Sequence, residues 1–415
     1  MGRGRVRFCA VAIFAIGTGG WMTGNAKPQA ATGAGTFGAV TRAVDSVSKL
    51  AVLSDRDGQA MVAVSPAMQG RVLTSSAAGE DGRSFGWVNE KLIESRQVQQ
   101  HFNAYGGEDR VWIGPEGGQY SVFFTPKAPF DVAHWYTPAP VDTEPFEVMH
   151  ESKDAIELRK AFSLVNYSGT RFQVQIDREV RLLPREAVWR DLNVAAMPGV
   201  KVVGFESRNK LTNVGKEAWR KETGLLSLWI LGQFQASPSA TIVIPIREGS
   251  EAKLGTPVTS DYFGTIPPNR LSVRSNVVFL KADANYRGKV GVSPKRAKGI
   301  LGSYDAENHV LTLVQYTMPA GHPEYVNSAW KIQEHPYEGD VENAYSDGPQ
   351  SPGGARLGHF YELETSSPAA ALAPGESIEH VHRTFHLQGD DQELNRVALA
   401  VLGVSLDEIR NALPQ

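Results

Sequence analysis

The sequence predicts an all-β protein, a large antiparallel two-sheet sandwich with short flanking helices. Strand-like segments recur along the chain with Pro, Asn and Gly between them. The alternation is clearest at residues 171–177, where Phe172, Val174 and Ile176 share one face. The centre of the chain has almost no helical spacing, which argues against a βαβ sheet. No repeat of fixed period is found, so a propeller or a solenoid is disfavoured.

The first 31 residues have the order of a secretory signal peptide. Arg3, Arg5 and Arg7 precede an apolar stretch over residues 8–16, and small residues follow near positions 25–31. The apolar stretch is too short to span a bilayer, so we expect cleavage and export to the periplasm or the cell exterior. Cys9, the only cysteine, lies in this segment. The predicted mature chain therefore has no disulfide framework, cysteine zinc site or cysteine nucleophile.

The remaining chain divides by its spacing pattern into three parts. Residues 32–50 are predicted to form a linker and a short helix, with apolar residues at Val40, Val44 and Val47. Residues 51–389 carry the strand pattern and are predicted to form one β-domain. Residues 390–415 return to helical spacing and are predicted to form a helical tail.

Charge and hydropathy exclude two classes of partner. The chain has 42 basic and 45 acidic residues, a formal charge of −3, and no basic run. Nucleic-acid binding needs clustered Lys and Arg, so no nucleic-acid partner is expected. No later apolar stretch is long enough for a membrane span. Composition leaves the oligomeric state open.

Two groups of motifs resemble the galactose mutarotase-like family, which includes the aldose 1-epimerases. Residues 358–365 read Gly-His-Phe-Tyr-Glu-Leu-Glu-Thr, and residues 372–376 read Leu-Ala-Pro-Gly-Glu before a closing strand. They resemble the late strand, turn and closing strand of that family. Gly70, Arg71 and the Tyr-Gly-Gly-Glu-Asp-Arg of residues 105–110 are similar to its early sugar-binding segments. The resemblance implies a β-supersandwich over about residues 50–389, with a saccharide or glycan as partner and Glu364 as catalytic base.

One departure limits the activity that this resemblance implies. The epimerases have a His on the central strand as general acid, whereas this chain offers Trp229 and no His there. Opening a pyranose ring needs one group to take the anomeric hydroxyl proton and another to protonate the ring oxygen. Glu364 alone would not reproduce that chemistry.

The densest group of polar and aromatic side chains lies in residues 101–119, a segment that contains two Gly pairs. A sugar site needs this mixture of flat apolar faces and fixed hydrogen-bonding groups. An ordinary pair of β-turns with surface charges is the alternative reading. The candidates in this segment are His101, Asn103, Tyr105, Glu108, Asp109, Arg110, Trp112 and Glu116.

A second candidate segment covers residues 327–348. His335 and Lys331 could transfer protons, and Trp330 could stack on a sugar. Ordinary loop polarity explains the segment equally well. No metal or cofactor is predicted. Calcium stays open as an alternative, because Asp340, Asn343 and Asp347 offer oxygen ligands without the spacing of an EF-hand.

These observations predict an exported carbohydrate-binding protein, either a noncanonical enzyme acting on a sugar or glycan or one that has lost catalysis. A polysaccharide lyase and a non-catalytic glycan-binding module of the cell envelope are the alternatives. The predicted catalytic residues are Glu364, His335 and Glu108. The predicted binding residues are Arg71, His101, Asn103, Tyr105, Asp109, Arg110, Trp112, Glu116, Trp330 and Lys331.

Overall fold

The structure, a computed structural model, describes residues 35–321, 323–349 and 353–414. The predicted signal peptide, including Cys9, lies outside the described residues, so export stays a prediction. The described residues form strands joined by short helices and turns. The strands are β1 (Ala51–Ser54), β2 (Met61–Ser65), β3 (Arg71–Ser76), β4 (Arg110–Gly114), β5 (Glu147–Glu151), β6 (Ala155–Val165), β7 (Arg171–Leu182), β8 (Lys201–Asn213), β9 (Ser227–Gln235), β10 (Ala240–Pro245), β11 (Leu271–Val273), β12 (Val277–Lys281), β13 (Gly288–Val292), β14 (Ile300–Asp305), β15 (Val310–Tyr316), β16 (Glu342–Ser346), β17 (Phe360–Ser366) and β18 (Ser377–Gln388).

The strands form two large sheets and one small sheet. A ten-stranded sheet has the order β11-β12-β10-β14-β15-β18-β8-β7-β6-β5, and a five-stranded sheet has the order β13-β16-β17-β9-β4. Strands β1, β2 and β3 form the third sheet. Neighbouring strands pair antiparallel, for example β17 with β9 and β18 with β8. The predicted all-β, antiparallel two-sheet class is confirmed.

The apolar core lies between the two large sheets. Val290 and Leu363 of the five-stranded sheet pack with Ile242 and Val314 of the ten-stranded sheet, and all four are fully buried. Burying apolar side chains on facing sheets is the main stabilising term in such a sandwich. The strands therefore alternate between core residues and residues of the opposite face.

Short helices flank the sheets. The helices are α1 (Phe37–Asp45), α2 (Glu90–Ser95), α3 (Arg185–Asp191), α4 (Glu251–Leu254), α5 (Asp391–Leu402) and α6 (Leu406–Arg410). Of these, α3, α5 and α6 cover part of the outer face of the ten-stranded sheet. Trp189 of α3 and Leu394 of α5 are buried in one cluster with Phe385 of β18. Helix α5 begins after Asp390, whose carboxylate accepts hydrogen bonds from the backbone N–H groups of Gln392 and Glu393.

The two faces of the five-stranded sheet differ in chemistry. Residues paired across antiparallel strands point to the same side, so the pairings Trp112–Trp229 and Leu231–Glu364 define one face. We call this side, which faces away from the ten-stranded sheet, the polar face. It consists of Arg110 and Trp112 on β4, Trp229, Leu231 and Gln233 on β9, Glu362 and Glu364 on β17, Asn343 and Tyr345 on β16, and Lys289 on β13.

Candidate functional site

Glu364 lies near the middle of the polar face and is fully buried. One carboxylate oxygen, Oε2, accepts hydrogen bonds from Lys289 Nζ at 2.9 Å and from Trp229 Nε1 at 3.0 Å. The partners come from strands on both sides of β17, so sheet pairing fixes the geometry. Hydrogen bonds from an ammonium and an indole N–H to one oxygen hold the carboxylate in a fixed orientation.

Glu362 lies two residues before Glu364 and shares its face. Its Oε1 accepts hydrogen bonds from Gln233 Nε2 at 2.8 Å and from Arg110 Nη2 at 3.3 Å. Burial, together with the neighbouring Glu364 charge, raises the pKa of Glu362 to about 7, although Arg110 and Lys289 oppose the shift. Glu362 can therefore hold or release a proton near neutral pH.

Both cations of the polar face are held against aromatic rings. The Arg110 guanidinium lies 4.2 Å from the centre of the Trp112 ring, and Lys289 Nζ lies 5.0 Å from that of Trp229. Burial lowers the pKa of Arg110, and the Glu362 charge opposes this. Burial alone would also lower the pKa of Lys289, but the charges of Glu364 and Glu116 outweigh it, so that pKa is raised.

Three loops bring further polar groups to the edge of the polar face. The Tyr262 hydroxyl donates to Asp340 Oδ2 at 2.5 Å and accepts from Asn343 Nδ2 at 3.1 Å. Burial raises the pKa of Asp340 and of Glu116. Glu116 also accepts a hydrogen bond from the Trp330 side chain.

Several buried polar atoms on this face have no hydrogen-bond partner among the residues that the structure describes. They are the donors Arg110 Nε, Arg110 Nη1 and Trp112 Nε1 and the acceptors Gln233 Oε1 and Glu364 Oε1. An unsatisfied buried polar group costs about 1–3 kcal/mol, and such groups on a shared face indicate a site for a hydrogen-bonding ligand. Because donors and acceptors lie together, the face suits hydroxyl groups, which do both.

Five of the residues predicted from the sequence are brought together here. Arg110, Trp112 and Glu364 lie on the polar face itself, and Glu116 and Trp330 reach it from the loops. The Trp330 ring is stacked on Trp135, with ring centres 6.0 Å apart.

Glu108 and Asp109, in contrast, lie in the interior between the sheets. Glu108 Oε2 is 2.8 Å from His386 Nε2, and Asp109 Oδ1 accepts from Arg178 Nη2 at 2.6 Å. The backbone turns at Gly106 and Gly107, both with positive φ, so the alternation of β4 does not extend back to Glu108. The predicted grouping of Glu108 with Glu364 is not found.

Four other candidates, Arg71, His101, Asn103 and Tyr105, have partners away from the polar face. Arg71 is buried, its Nη1 donates to the Gly106 carbonyl at 2.9 Å, and its guanidinium lies 5.6 Å from the Tyr105 ring centre. Asn103 donates to Asp142 Oδ2 at 2.7 Å. His101 Nδ1 is 2.7 Å from the Trp135 carbonyl oxygen. These contacts account for the four residues by packing rather than by the polar face.

His335 and Lys331 are exposed on their loop. The His335 side chain is 62% exposed, and its Nδ1 is 3.9 Å from Glu338 Oε1. Within the described part of the chain, no hydrogen bond or ion pair links His335 or Lys331 with Glu362 or Glu364. Of the candidates on this loop, Trp330 meets the segment of residues 101–119, through its hydrogen bond to Glu116.

The candidate calcium ligands have other partners. Asp340 binds Tyr262, and Asp347 accepts from the Tyr345 hydroxyl at 2.7 Å. In residues 35–321, 323–349 and 353–414, no group of three or more His, Cys, Asp or Glu side chains is arranged to hold a metal ion. Among those same residues, no helix is long and apolar enough to cross a membrane.

Comparison with known proteins gives one family and several similar structures. The sequence model of a family of unknown function, DUF6786, matches residues 35–413. No curated protein matches the sequence significantly. A structure named provisionally as an aldose 1-epimerase, from Escherichia coli K12, is similar with 14% identity and a TM-score of 0.47, over 82% of this chain and 99% of the other.

Two further solved structures show the same level of similarity. A galactose mutarotase-like protein from Lactobacillus casei has 9% identity and a TM-score of 0.47, over 81% of this chain and 99% of its own. A galactose mutarotase related enzyme from Lactobacillus acidophilus has 10% identity and a TM-score of 0.45, over 82% of this chain and 98% of its own. These names are those of the group whose motifs the sequence resembles.

Proposed function

The chain belongs to the DUF6786 family, a family of unknown function, and we propose that it is an exported carbohydrate-active protein. The saccharide binds across the polar face, and Glu362 and Glu364 transfer protons there. The observation that carries this proposal is the pair of buried carboxylates on one strand, each with a different environment. Two neighbouring acids held in different environments are a common basis for an acid and a base in one site.

The polar face also has the features that sugar binding requires. Trp112 and Trp229 meet edge to face with ring centres 5.4 Å apart and supply apolar surface. The unpartnered donors of Arg110 and the unpartnered acceptor of Gln233 match the two roles of a sugar hydroxyl. Apolar surface with a few fixed polar groups is the usual composition of a small-molecule site.

The proposed chemistry gives the two carboxylates separate roles. Glu364, held by Lys289 and Trp229, takes the proton of a sugar hydroxyl through its unpartnered Oε1. Glu362, with its pKa of about 7, returns a proton to the ring oxygen. The electron pair released at the hydroxyl then forms a carbonyl as the ring C–O bond breaks. Glu362 would thus supply the acid that Trp229 cannot.

The two alternatives fit the site less well. A lyase needs a cation free to neutralise a uronate, whereas Arg110 and Lys289 are each already paired with a carboxylate. A purely structural binding module would expose its carboxylates, but Glu364 is fully buried and Glu362 is 8% exposed. The burial of both groups favours proton-transfer chemistry.

A saccharide panel tests the proposal. Binding is measured by calorimetry for the intact chain, for Glu364→Gln and for Glu157→Gln, an exposed carboxylate on β6 that serves as the matched control. We expect one saccharide class to bind the intact chain and Glu157→Gln, with loss of turnover in Glu364→Gln. Interconversion of anomers by NMR reads out the proposed step, and an unsaturated ultraviolet-absorbing product would indicate a lyase instead. If no saccharide binds the intact chain, the proposal is wrong.

The export part of the proposal has its own test. The basic, apolar and small segments of residues 1–31 support it. We expect the protein from fractionated cells to be found outside the cytoplasm with a new N-terminus near residue 31. An unprocessed chain in the cytoplasmic fraction would contradict export and leave the saccharide proposal untouched.

A further inference from the structure

A crevice separate from the polar face opens between helices α1 and α2 and the small sheet. Its volume is about 160 Å³, and its boundaries include Val47 after α1, Met68 in the turn before β3, and Ile93 in α2. Tyr105 and Asp142 close its other end. No part of the proposed sugar chemistry uses this crevice, which we call the side crevice.

Most of the lining of the side crevice is apolar, and Tyr105, Asp142 and Thr143 form its polar part, which we call the polar end. Met68 and Ile93 are buried, and Leu92 and Ala67 extend the same wall toward solvent. An apolar cavity of about 150 Å³ in a protein core is large enough to bind benzene. The side crevice therefore has room for one six-membered ring.

Asp142 provides an acceptor at the polar end. It is 3% exposed and receives two hydrogen bonds, from the Asn103 backbone N–H at 3.3 Å and from Asn103 Nδ2 at 2.7 Å. A carboxylate has about four lone-pair positions, so these two hydrogen bonds leave acceptor capacity on Asp142, which lines the crevice. The Tyr105 hydroxyl, which lies beside it, has no hydrogen bond to the described residues.

The charges around the crevice favour a neutral ligand. The buried Arg71 lies against Tyr105, and Arg96 lines the crevice, so a cationic ligand would meet two positive charges against the single negative charge of Asp142. An anionic ligand would instead meet the Asp142 carboxylate at the polar end. A neutral hydroxyl avoids both repulsions and can donate to Asp142.

We propose that the side crevice binds a small neutral molecule consisting of one apolar ring and a hydroxyl group. The ring packs against Met68, Leu92 and Ile93, and the hydroxyl donates a hydrogen bond to Asp142. Phenol is the simplest molecule of this kind and serves as the probe. Its ring matches the apolar wall, and its one donor matches the one buried acceptor.

Binding of phenol to the full chain, measured by saturation-transfer NMR and calorimetry, tests this assignment. We expect phenol to bind at least about tenfold more tightly than toluene, because a hydrogen bond to a charged group is lost with toluene. Benzylamine, which carries a positive charge, should bind more weakly than phenol. Equal binding of phenol and toluene, or no binding of phenol, would overturn the proposal.

Two variants fix the location of the probe. Ala67→Trp and Leu92→Trp each place a large side chain in the crevice from its exposed side, and both should abolish phenol binding while the thermal melt stays cooperative. Two variants are used so that one misfolded protein does not decide the result. Lys91→Ala, an exposed change on the same helix, is the matched control and should bind phenol like the intact chain. If a folded Ala67→Trp or Leu92→Trp variant still binds phenol, phenol binds elsewhere on the chain.

Discussion

Glu364 and Lys289 form a largely buried ion pair. The Glu364 side chain is fully buried, and that of Lys289 is 13% exposed. A buried charge that loses its partner destabilises the folded state, because the low-dielectric surroundings cannot replace the lost countercharge. The pair is therefore expected to matter for stability as well as for the proposed chemistry.

We predict that Glu364→Gln lowers the free energy of unfolding by about 3 kcal/mol, because Lys289 loses its direct countercharge. The measurement is urea denaturation followed by tryptophan fluorescence. The double variant Glu364→Gln with Lys289→Met should be more stable than Glu364→Gln alone, since it removes the unpaired charge. A double variant less stable than both single variants would contradict the pairing.

Glu362 gives a second prediction, on pH. Its pKa is about 7 in the folded chain, against an ordinary value of 4.5, so the folded state binds more protons between these pH values. The contribution of Glu362 to the free energy of unfolding is fully present below about pH 4.5 and is lost as the pH rises through about 7. Against Glu362→Gln, the intact chain should therefore lose about 1–3 kcal/mol over that interval. A pH-independent difference between the two proteins would contradict the shift.

At the scale of the element, β18 carries three buried histidines on its inner face, and two of them contact Thr365. His380 Nε2 and His382 Nδ1 lie 2.8 Å and 2.9 Å from the Thr365 hydroxyl oxygen. Burial, together with the His382 charge, lowers the pKa of His380 to about 3, and burial lowers the pKa of His382 to about 4. The strand is thus built to hold both rings neutral.

This arrangement predicts sensitivity to acid. The ordinary pKa of histidine is 6.5, so the unfolded state takes up protons below that pH while the folded state does not. Stability is lost as the pH falls from about 6.5 toward 4. His382→Gln should reduce the slope of stability against pH in this interval by up to about 1.4 kcal/mol per pH unit. The check is a series of thermal melts, with the exposed His335→Gln as a control that leaves the slope unchanged.

Strand alternation explains which site residues could be predicted from the sequence. Period two places Glu362 and Glu364 on one face of β17 without knowledge of the fold. The same rule fails for Glu108, because the Gly106–Gly107 turn interrupts the alternation. Lys289 and Gln233 were missed, since their relation to Glu364 and Glu362 depends on which strands become neighbours. Strand order across long sequence separations has no local signal.

At the scale of the whole molecule, Arg178 connects all three sheets. It lies on β7 of the ten-stranded sheet and donates to the Gly70 carbonyl at 3.0 Å, just before β3 of the small sheet. Its Nη2 donates to Asp109 Oδ1 at 2.6 Å, just before β4 of the five-stranded sheet. Both side chains of this ion pair are fully buried. The class of fold follows from the strand pattern, but this connection does not, because its three segments are far apart in sequence.

We predict that Arg178→Met lowers the free energy of unfolding by about 3–5 kcal/mol, since it leaves the Asp109 carboxylate buried without its cation. Adding Asp109→Leu should restore part of this loss, because both charges are then absent. Arg159→Met is the matched control: Arg159 pairs with Asp177 on the same sheet but is 45% exposed, so its loss should cost less than about 1 kcal/mol. If Arg178→Met and Arg159→Met destabilise the chain equally in chemical denaturation, Arg178 does not hold the sheets together. If Arg178→Met destabilises the chain more than Arg159→Met does, the Arg178–Asp109 ion pair in the interior of the sandwich helps to position the polar face. That face begins one residue after Asp109.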